Sequence, residues 1–346
     1  MRKGPAPLLT SGDNGAPGAG PTGADAPLSP NVNNGAGPFF RSTWTRAALS
    51  AAILWWLSTR IDMAEAARAM VSVQLPHLLA VLALVMLDRV IMIYRWVLLL
   101  RASGIPLPVT RAADIFLVSS FVGSFLPAGV GADAARAYSL RLHTVEGGEA
   151  LASVVVDRLL GTLSLGLMGI VGLLAWTSAA SSDWRVLAII GLLVAVSIGA
   201  FWLDHAVKVV LADRAHASRL GRALLRLADA VSRYRTRRTT LAAVFFWSVA
   251  IQVIRIVEAY LLGLGLGLTV PFTYYLLFMP LGLLMLLLPI SVSGFGLPQG
   301  VFVWMLRPVG VPDATSFALS TLIIVTGLAG NIPGLLLWLR KDREIL

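Results

Sequence analysis

FVGSFLPAGVGADAAR, residues 121–136, and LLLPISVSGFG, residues 286–296, are two apolar stretches broken at matching points. Each carries a Leu-Pro pair (Leu126-Pro127, Leu288-Pro289) and then a Gly-x-Gly (Gly129-Val130-Gly131, Gly294-Phe295-Gly296). A new apolar segment begins eighteen residues after Gly131, at Glu149, and seventeen after Gly296, at Asp313. Proline removes a backbone donor and glycine admits φ > 0, so N–H and C=O groups are released at each break. Unpaired backbone in hydrocarbon costs several kcal/mol per group unless it faces protein or a water-filled cavity. The two breaks therefore predict two broken hairpins with a hydrated cavity between them. One Leu-Pro pair or one Gly-x-Gly is weak on its own. The same order and spacing twice reads as an internal repeat.

The rest of the chain supports a bilayer setting. Of 346 residues, 57% are hydrophobic and 13% charged, against about 25% charged in a soluble domain. This excludes an ordinary soluble enzyme. Apolar blocks recur at the ~20 residues a spanning helix needs. The net charge of +10 reads as the Lys/Arg excess of cytoplasmic loops, not as a nucleic-acid surface. The chain has no cysteine and four scattered histidines, His77, His143, His205 and His216. No thiolate chemistry, metal cluster or cofactor is expected from such a set. Gly-Val-Gly at 129–131 lacks the Lys-Ser/Thr continuation of a phosphate-binding loop.

Residues 1–40, rich in Gly, Pro, Ala and Asn, predict a disordered tail. No hydrophobic run follows Arg2 and Lys3, so it does not read as a signal peptide. Residues 41–346 form the membrane domain, an all-α polytopic protein. Six spanning helices are expected at 47–61, 76–100, 149–176, 185–203, 239–264 and 313–339. The broken stretches lie at 113–143 and 272–306. Segment 205–238 holds nine Lys/Arg and is expected in the cytoplasm. Counting from it puts both ends of 113–143 inside and both ends of 272–306 outside. Both stretches then read as re-entrant hairpins entering from opposite sides, an inverted-topology repeat of the transporter type. Both termini fall in the cytoplasm, at an inner (cytoplasmic) membrane.

Ten ionisable residues lie in or beside apolar stretches: Asp88, Arg89, Arg95, Asp114, Asp133, Arg136, Asp157, Arg158, Arg255 and Glu258. Each costs roughly 2.5–3.5 kcal/mol on insertion scales, so such residues mark a functional interior by default. The bland reading is internal ion pairing. Asp133–Arg136 and Arg255–Glu258 are spaced i,i+3 on one helix face, which makes pairing easy. Asp157 and Arg158 are adjacent and point about 100° apart, so they are not natural partners. Arg95-Trp96 also admits an interfacial anchor. A cavity lined by arginines and hydrocarbon suits an amphipathic anion, a phosphate head with lipid tails, because guanidinium binds phosphate bidentately.

At these residues the sequence resembles the lysylphosphatidylglycerol synthase transmembrane (flippase-like) domain family. The run 121–136 is similar to its "f.g.flP.g.GgD..R" core. Arg95-Trp96, the Ala152-Ser153 to Asp157-Arg158 to Gly161 stretch, and Leu288-Pro289 through Gly296 match further landmarks. The resemblance covers about residues 45–340 and implies a lipid-translocating membrane domain. Multi-domain members carry a soluble aminoacyl-transferase that lysinylates phosphatidylglycerol. The chain ends at Leu346, so lipid lysinylation is not expected of it. Ala132 stands where a glycine is usual before the aspartate. Gln299 stands where many members have a glutamate, which weakens any cation-coupled role at that position.

The expected function is translocation of a lipid or lipid-linked anion between leaflets, without catalysis. The substrate-binding set is Arg136, Arg158, Asp133, Asp157, Arg95, Arg255, Glu258 and Gln299. The hairpin breaks are Pro127, Gly129, Gly131, Pro289, Gly294 and Gly296. Two alternatives remain: a membrane-embedded lipid transferase using Asp133 and Asp157 as acid and base, and a non-catalytic partner of envelope lipid or polysaccharide enzymes docked through 205–238.

Overall fold

The structure, a computed structural model, describes residues 54–125, 131–142, 147–176, 229–234, 236–287 and 296–340, with positions 51 and 191. The tail 1–40, the start of the expected span 47–61, the expected span 185–203 apart from position 191, most of 205–238, and the breaks Pro127, Gly129, Pro289 and Gly294 lie outside these residues. Helices follow in the order α1 (Met63–Val71), α2 (Leu75–Ala102), α3 (Val109–Gly123), α4 (Gly131–Arg141) and α5 (Gly147–Ala175). After these come α6 (Arg238–Gly265), α7 (Phe272–Leu287), α8 (Leu297–Leu306), α9 (Asp313–Ala329) and α10 (Ile332–Arg340). No strand occurs among the described residues.

Among the described residues, four helical segments are long and apolar enough to cross a membrane: Leu75–Ala102, Gly148–Ala175, Arg238–Gly265 and Asp313–Arg340. They coincide with four of the six expected spans. Their ends carry ordinary stop signals. Pro76 opens α2, where its missing N–H is an orphan in any case. Gly104 (φ 79°) and Gly267 (φ 78°) follow α2 and α6 in the left-handed region. There Ile105 N donates to Leu100 O and Leu268 N to Gly263 O, the six-to-one bond of a glycine-terminated helix.

The helices α2 and α6 form an antiparallel pair. Gln74 N donates to Gly265 O (3.1 Å) at one end, and Tyr234 Oη donates to Leu99 O (3.2 Å) at the other. At that second end the C-terminus of α2 and the N-termini of α5 and α6 surround a cavity of about 280 Å³. Arg101, Glu149, Arg233, Tyr234 and Arg237 line it. These three span ends thus lie together, Arg101 of α2 and Arg233 and Arg237 before α6 beside Glu149 of α5. Burial pushes the Tyr234 hydroxyl up to about 12. The opposite end of α5 meets the start of α7, where Trp176 and Tyr274 stack edge to face at 4.8 Å.

The broken stretches fold as short helix pairs. Gly123, ending α3, approaches Ala132 in α4, while Ala112, Ile115, Leu140 and Ala150 share one core cluster at the far end. The helices α3 and α4, of 15 and 11 residues, reach about 22 and 16 Å. In the second stretch the Tyr274 hydroxyl donates to the Met305 carbonyl, bringing the first turn of α7 back to the last turn of α8. Two features depart from the expected outline. An amphipathic helix, α1, follows residue 61, capped by Asp62 Oδ1, which accepts from Ala64 N and Glu65 N. The last expected span is interrupted at Gly330-Asn331, between α9 and α10.

Candidate functional site

The intramembrane charges form two separate clusters. In the first, Asp157 of α5 is the centre. Its Oδ1 lies 2.8 Å from Arg95 Nε of α2, an ion pair. Its Oδ2 accepts from Arg136 Nη2 of α4 (3.3 Å). The same nitrogen donates to Asp133 Oδ1 (3.0 Å), and Asp133 Oδ2 accepts from Arg158 Nε (2.6 Å). Arg95 Nη1 donates to Ser248 Oγ of α6 (2.8 Å). The result is an alternating chain, Arg95–Asp157–Arg136–Asp133–Arg158, tying α2, α4, α5 and α6 together.

Position along this chain decides what each member can do. Arg95, Arg136 and Asp157 are buried. The Arg136 guanidinium carbon lies 5.2 Å from the ring centroids of both Trp96 and Phe116, within cation–π range. Trp96 is buried too, so Arg95-Trp96 is a core pair, not an interfacial anchor. At the end of the chain the Arg158 side chain is 43% exposed, against 5% for Arg136. Three guanidinium groups against two carboxylates leave one positive charge over, and its accessible member is Arg158.

The second cluster joins α2, α6 and α9. Arg255 Nε and Nη2 donate to Asp88 Oδ1 (3.2 Å) and Oδ2 (3.4 Å). Arg89 Nη1 approaches the same carboxylate at 3.4 Å, and its Nη2 donates to Gly327 O (2.9 Å). Of the two i,i+3 pairs, Asp133–Arg136 forms. Arg255–Glu258 does not: Arg255 turns across to α2, and the buried Glu258 Oε1 has no hydrogen-bond partner among the described residues. Asp157 and Arg158 face different partners, as their adjacency requires.

Gln299 belongs to neither cluster. It is fully buried, and its Oε1 accepts from Gly296 N (2.6 Å) at the start of α8. Gly296, at φ 103°, is the described residue of the second break, and Gly131 opens α4 after the first. Reading the sequence missed several partners. Nothing in spacing couples Asp88 to Arg255, which stand 167 residues apart. Ser248 and Met92, whose Sδ lies 3.3 Å from Arg255 Nη2, carried no signal either. Asn331 did carry one, as a polar residue beside Gly330 and Pro333. Its Nδ2 donates to Ser124 Oγ (2.8 Å), pinning the α9–α10 break to the end of α3.

The four apolar segments that carry most of these two charge clusters agree with the comparison to known families. A family model described as the lysylphosphatidylglycerol synthase TM region matches residues 43–334. No curated protein is significantly similar to the chain. The helical fold and the extent of the match lead to one assignment: the chain is a helical integral membrane protein belonging to the lysylphosphatidylglycerol synthase transmembrane-region family.

Proposed function

We propose that the protein moves a lipid or lipid-linked anion between leaflets, with Arg158 as the group that receives the phosphate. The observation that carries this reading is the uneven charge chain ending on a half-exposed guanidinium within a span. Among the described residues Arg158 has one carboxylate partner, Asp133, so donors remain for a phosphate oxygen. Arg136, Asp157 and Arg95 act as positioning residues behind it. The lipid tails stay in the bilayer while the head group passes through a hydrated cavity between two re-entrant hairpins. In this reading the chain has six spans, an inverted repeat and both termini in the cytoplasm at an inner membrane. The Tyr274–Met305 bond supports re-entry of the second hairpin, because its two ends meet. Envelope-biosynthesis enzymes are the proposed suppliers or users of the lipid.

A transferase reading fits less well. Asp157 is buried between Arg95 and Arg136, out of hydrogen-bond reach of a substrate, so Asp133 and Asp157 are not presented together as an acid and a base. The test is leaflet exchange in liposomes holding the full chain and head-group-labelled phosphatidylglycerol, read by a membrane-impermeant quencher. The expected result is quenching beyond the outer-leaflet fraction, slowed about tenfold or more in Arg158→Gln, the loss of one charge-assisted hydrogen bond. Quenching confined to the outer leaflet for anionic, zwitterionic and aminoacylated lipids alike would sink the translocator. A change in lipid mass in the same vesicles would favour the transferase.

A further inference from the structure

The second cluster leaves one carboxylate over. Asp88 is satisfied by Arg255 and Arg89, and Arg89 is further tied to Gly327 O. Glu258, one turn beyond Arg255 on α6, keeps a buried Oε1 with no partner among the described residues. An ionised carboxylate without a partner in such surroundings is costly, and the neutral acid costs far less. A metal ion does not suit the place. Both Asp88 oxygens are taken, the nearby Gly327 carbonyl is taken, and two guanidinium groups repel a cation. The ligand this geometry accepts is a proton.

The charged groups acting on Glu258 are Asp88 and Arg89 from α2 and Arg255 from its own helix. The other described helices packed on α6 add no charge here. Described α7 contains no acid or base beyond Tyr274 and Tyr275. The charge of α9, Asp313, stands at its start and pairs with Arg307. On α5, Asp157 and Arg158 belong to the first cluster, and Glu149 pairs with Arg233.

We propose that Glu258 is a proton-binding site that couples lipid movement to the proton gradient. With the proton on the Glu258 carboxyl, Arg255 rests on Asp88 and locks α6 to α2. When the proton leaves to water, the new carboxylate competes for Arg255, which it can reach at i,i+3 on its own helix. Asp88 then keeps Arg89 alone, and the tie between α2 and α6 loosens. Because Arg89 also holds the last turn of α9 just before the Gly330-Asn331 break, the change reaches the element that contacts the first hairpin. This inference rests on the translocator reading for its coupling, though not for the proton site itself.

The experiment uses the full chain in liposomes with a pH gradient imposed in either direction. The expected result is a several-fold difference in leaflet exchange between the two directions, falling to none in Glu258→Gln and restored in part by Glu258→Asp. Exchange by the wild type at one rate in both gradients overturns the coupling and leaves the translocator intact. If no lipid moves at all, infrared difference spectra decide the site. A protonated-carboxyl band at neutral pH, lost in Glu258→Gln, upholds the proton site. Its absence from the wild type overturns it.

Discussion

Arg136 and Arg158 are one helix apart in sequence and both touch Asp133, yet their substitution should read out differently. Asp157 lies buried between Arg95 and Arg136. Asp157→Asn therefore leaves the buried Arg95 without a carboxylate and Arg136 with Asp133 alone, and breaking a buried pair this way costs about 3–5 kcal/mol. Thermal unfolding in detergent should register that loss. The half-exposed Arg158 is screened, so Arg158→Gln should cost under about 1 kcal/mol while slowing lipid exchange. Equal destabilisation by the two would remove the division between scaffold and receptor. Tyr234 gives a pH prediction outside the spans. Its hydroxyl is pushed up to about 12 by burial, against about 10 in the unfolded chain. Between those values the unfolded state binds fewer protons than the native one, so stability falls as pH rises. The contribution is full below about pH 10 and lost above about 12, on the order of 2–3 kcal/mol. Urea unfolding across that range should show the fall in wild type and a flatter profile in Tyr234→Phe.

At the scale of elements, close helix approach is where substitutions should act. A Cβ on Gly172 of α5 would lie 2.2 Å from Leu276 O, and one on Gly334 of α10 would lie 2.1 Å from Leu117 O. Backbone carbonyls cannot turn aside as side chains do, so Gly172→Ala and Gly334→Ala should each cost about 1–3 kcal/mol. A Cβ on Gly300 in α8 would meet nothing within 4 Å among the described residues, and Gly300→Ala should be neutral or stabilise by up to about 1 kcal/mol. The long elements were legible in the sequence because an apolar run bounded by Pro76, Gly104 or Gly267 carries its own start and stop. The i,i+3 rule found Asp133–Arg136 because both partners share one helix. It failed for Arg255, since Asp88 on α2 accepts from two of its guanidinium nitrogens, a contact that local spacing cannot encode. The α9–α10 interruption was missed for a related reason: hydropathy stays high through Ile332 to Leu339 and masks the signal of Gly330, Asn331 and Pro333, which the bond from Asn331 to Ser124 makes plain.

For the whole molecule, the two clusters and the three gathered span ends make one argument about sidedness. Arg101, Glu149, Arg233 and Arg237 line a single cavity, so the C-terminus of α2 and the N-termini of α5 and α6 share a face. The start of α7 lies beside the far end of α5, and the end of α8 is bonded back to it. The loops around 269 and 308 therefore belong on the face opposite 236. The chain has no cysteine, so single-cysteine variants report without background. Thr236, Thr269 and Pro308 are all exposed. In sealed, right-side-out vesicles, a membrane-impermeant maleimide should label Thr269→Cys and Pro308→Cys, while Thr236→Cys labels only after permeabilisation. If Thr269→Cys and Pro308→Cys label from opposite sides, residues 272–306 cross the membrane and the inverted repeat is lost, while the charge chain on Arg158 stands. If Thr236→Cys labels from the same side as Thr269→Cys, the span α6 itself is misassigned, and the shared arginine face would then have to arise from a fold that does not cross between them.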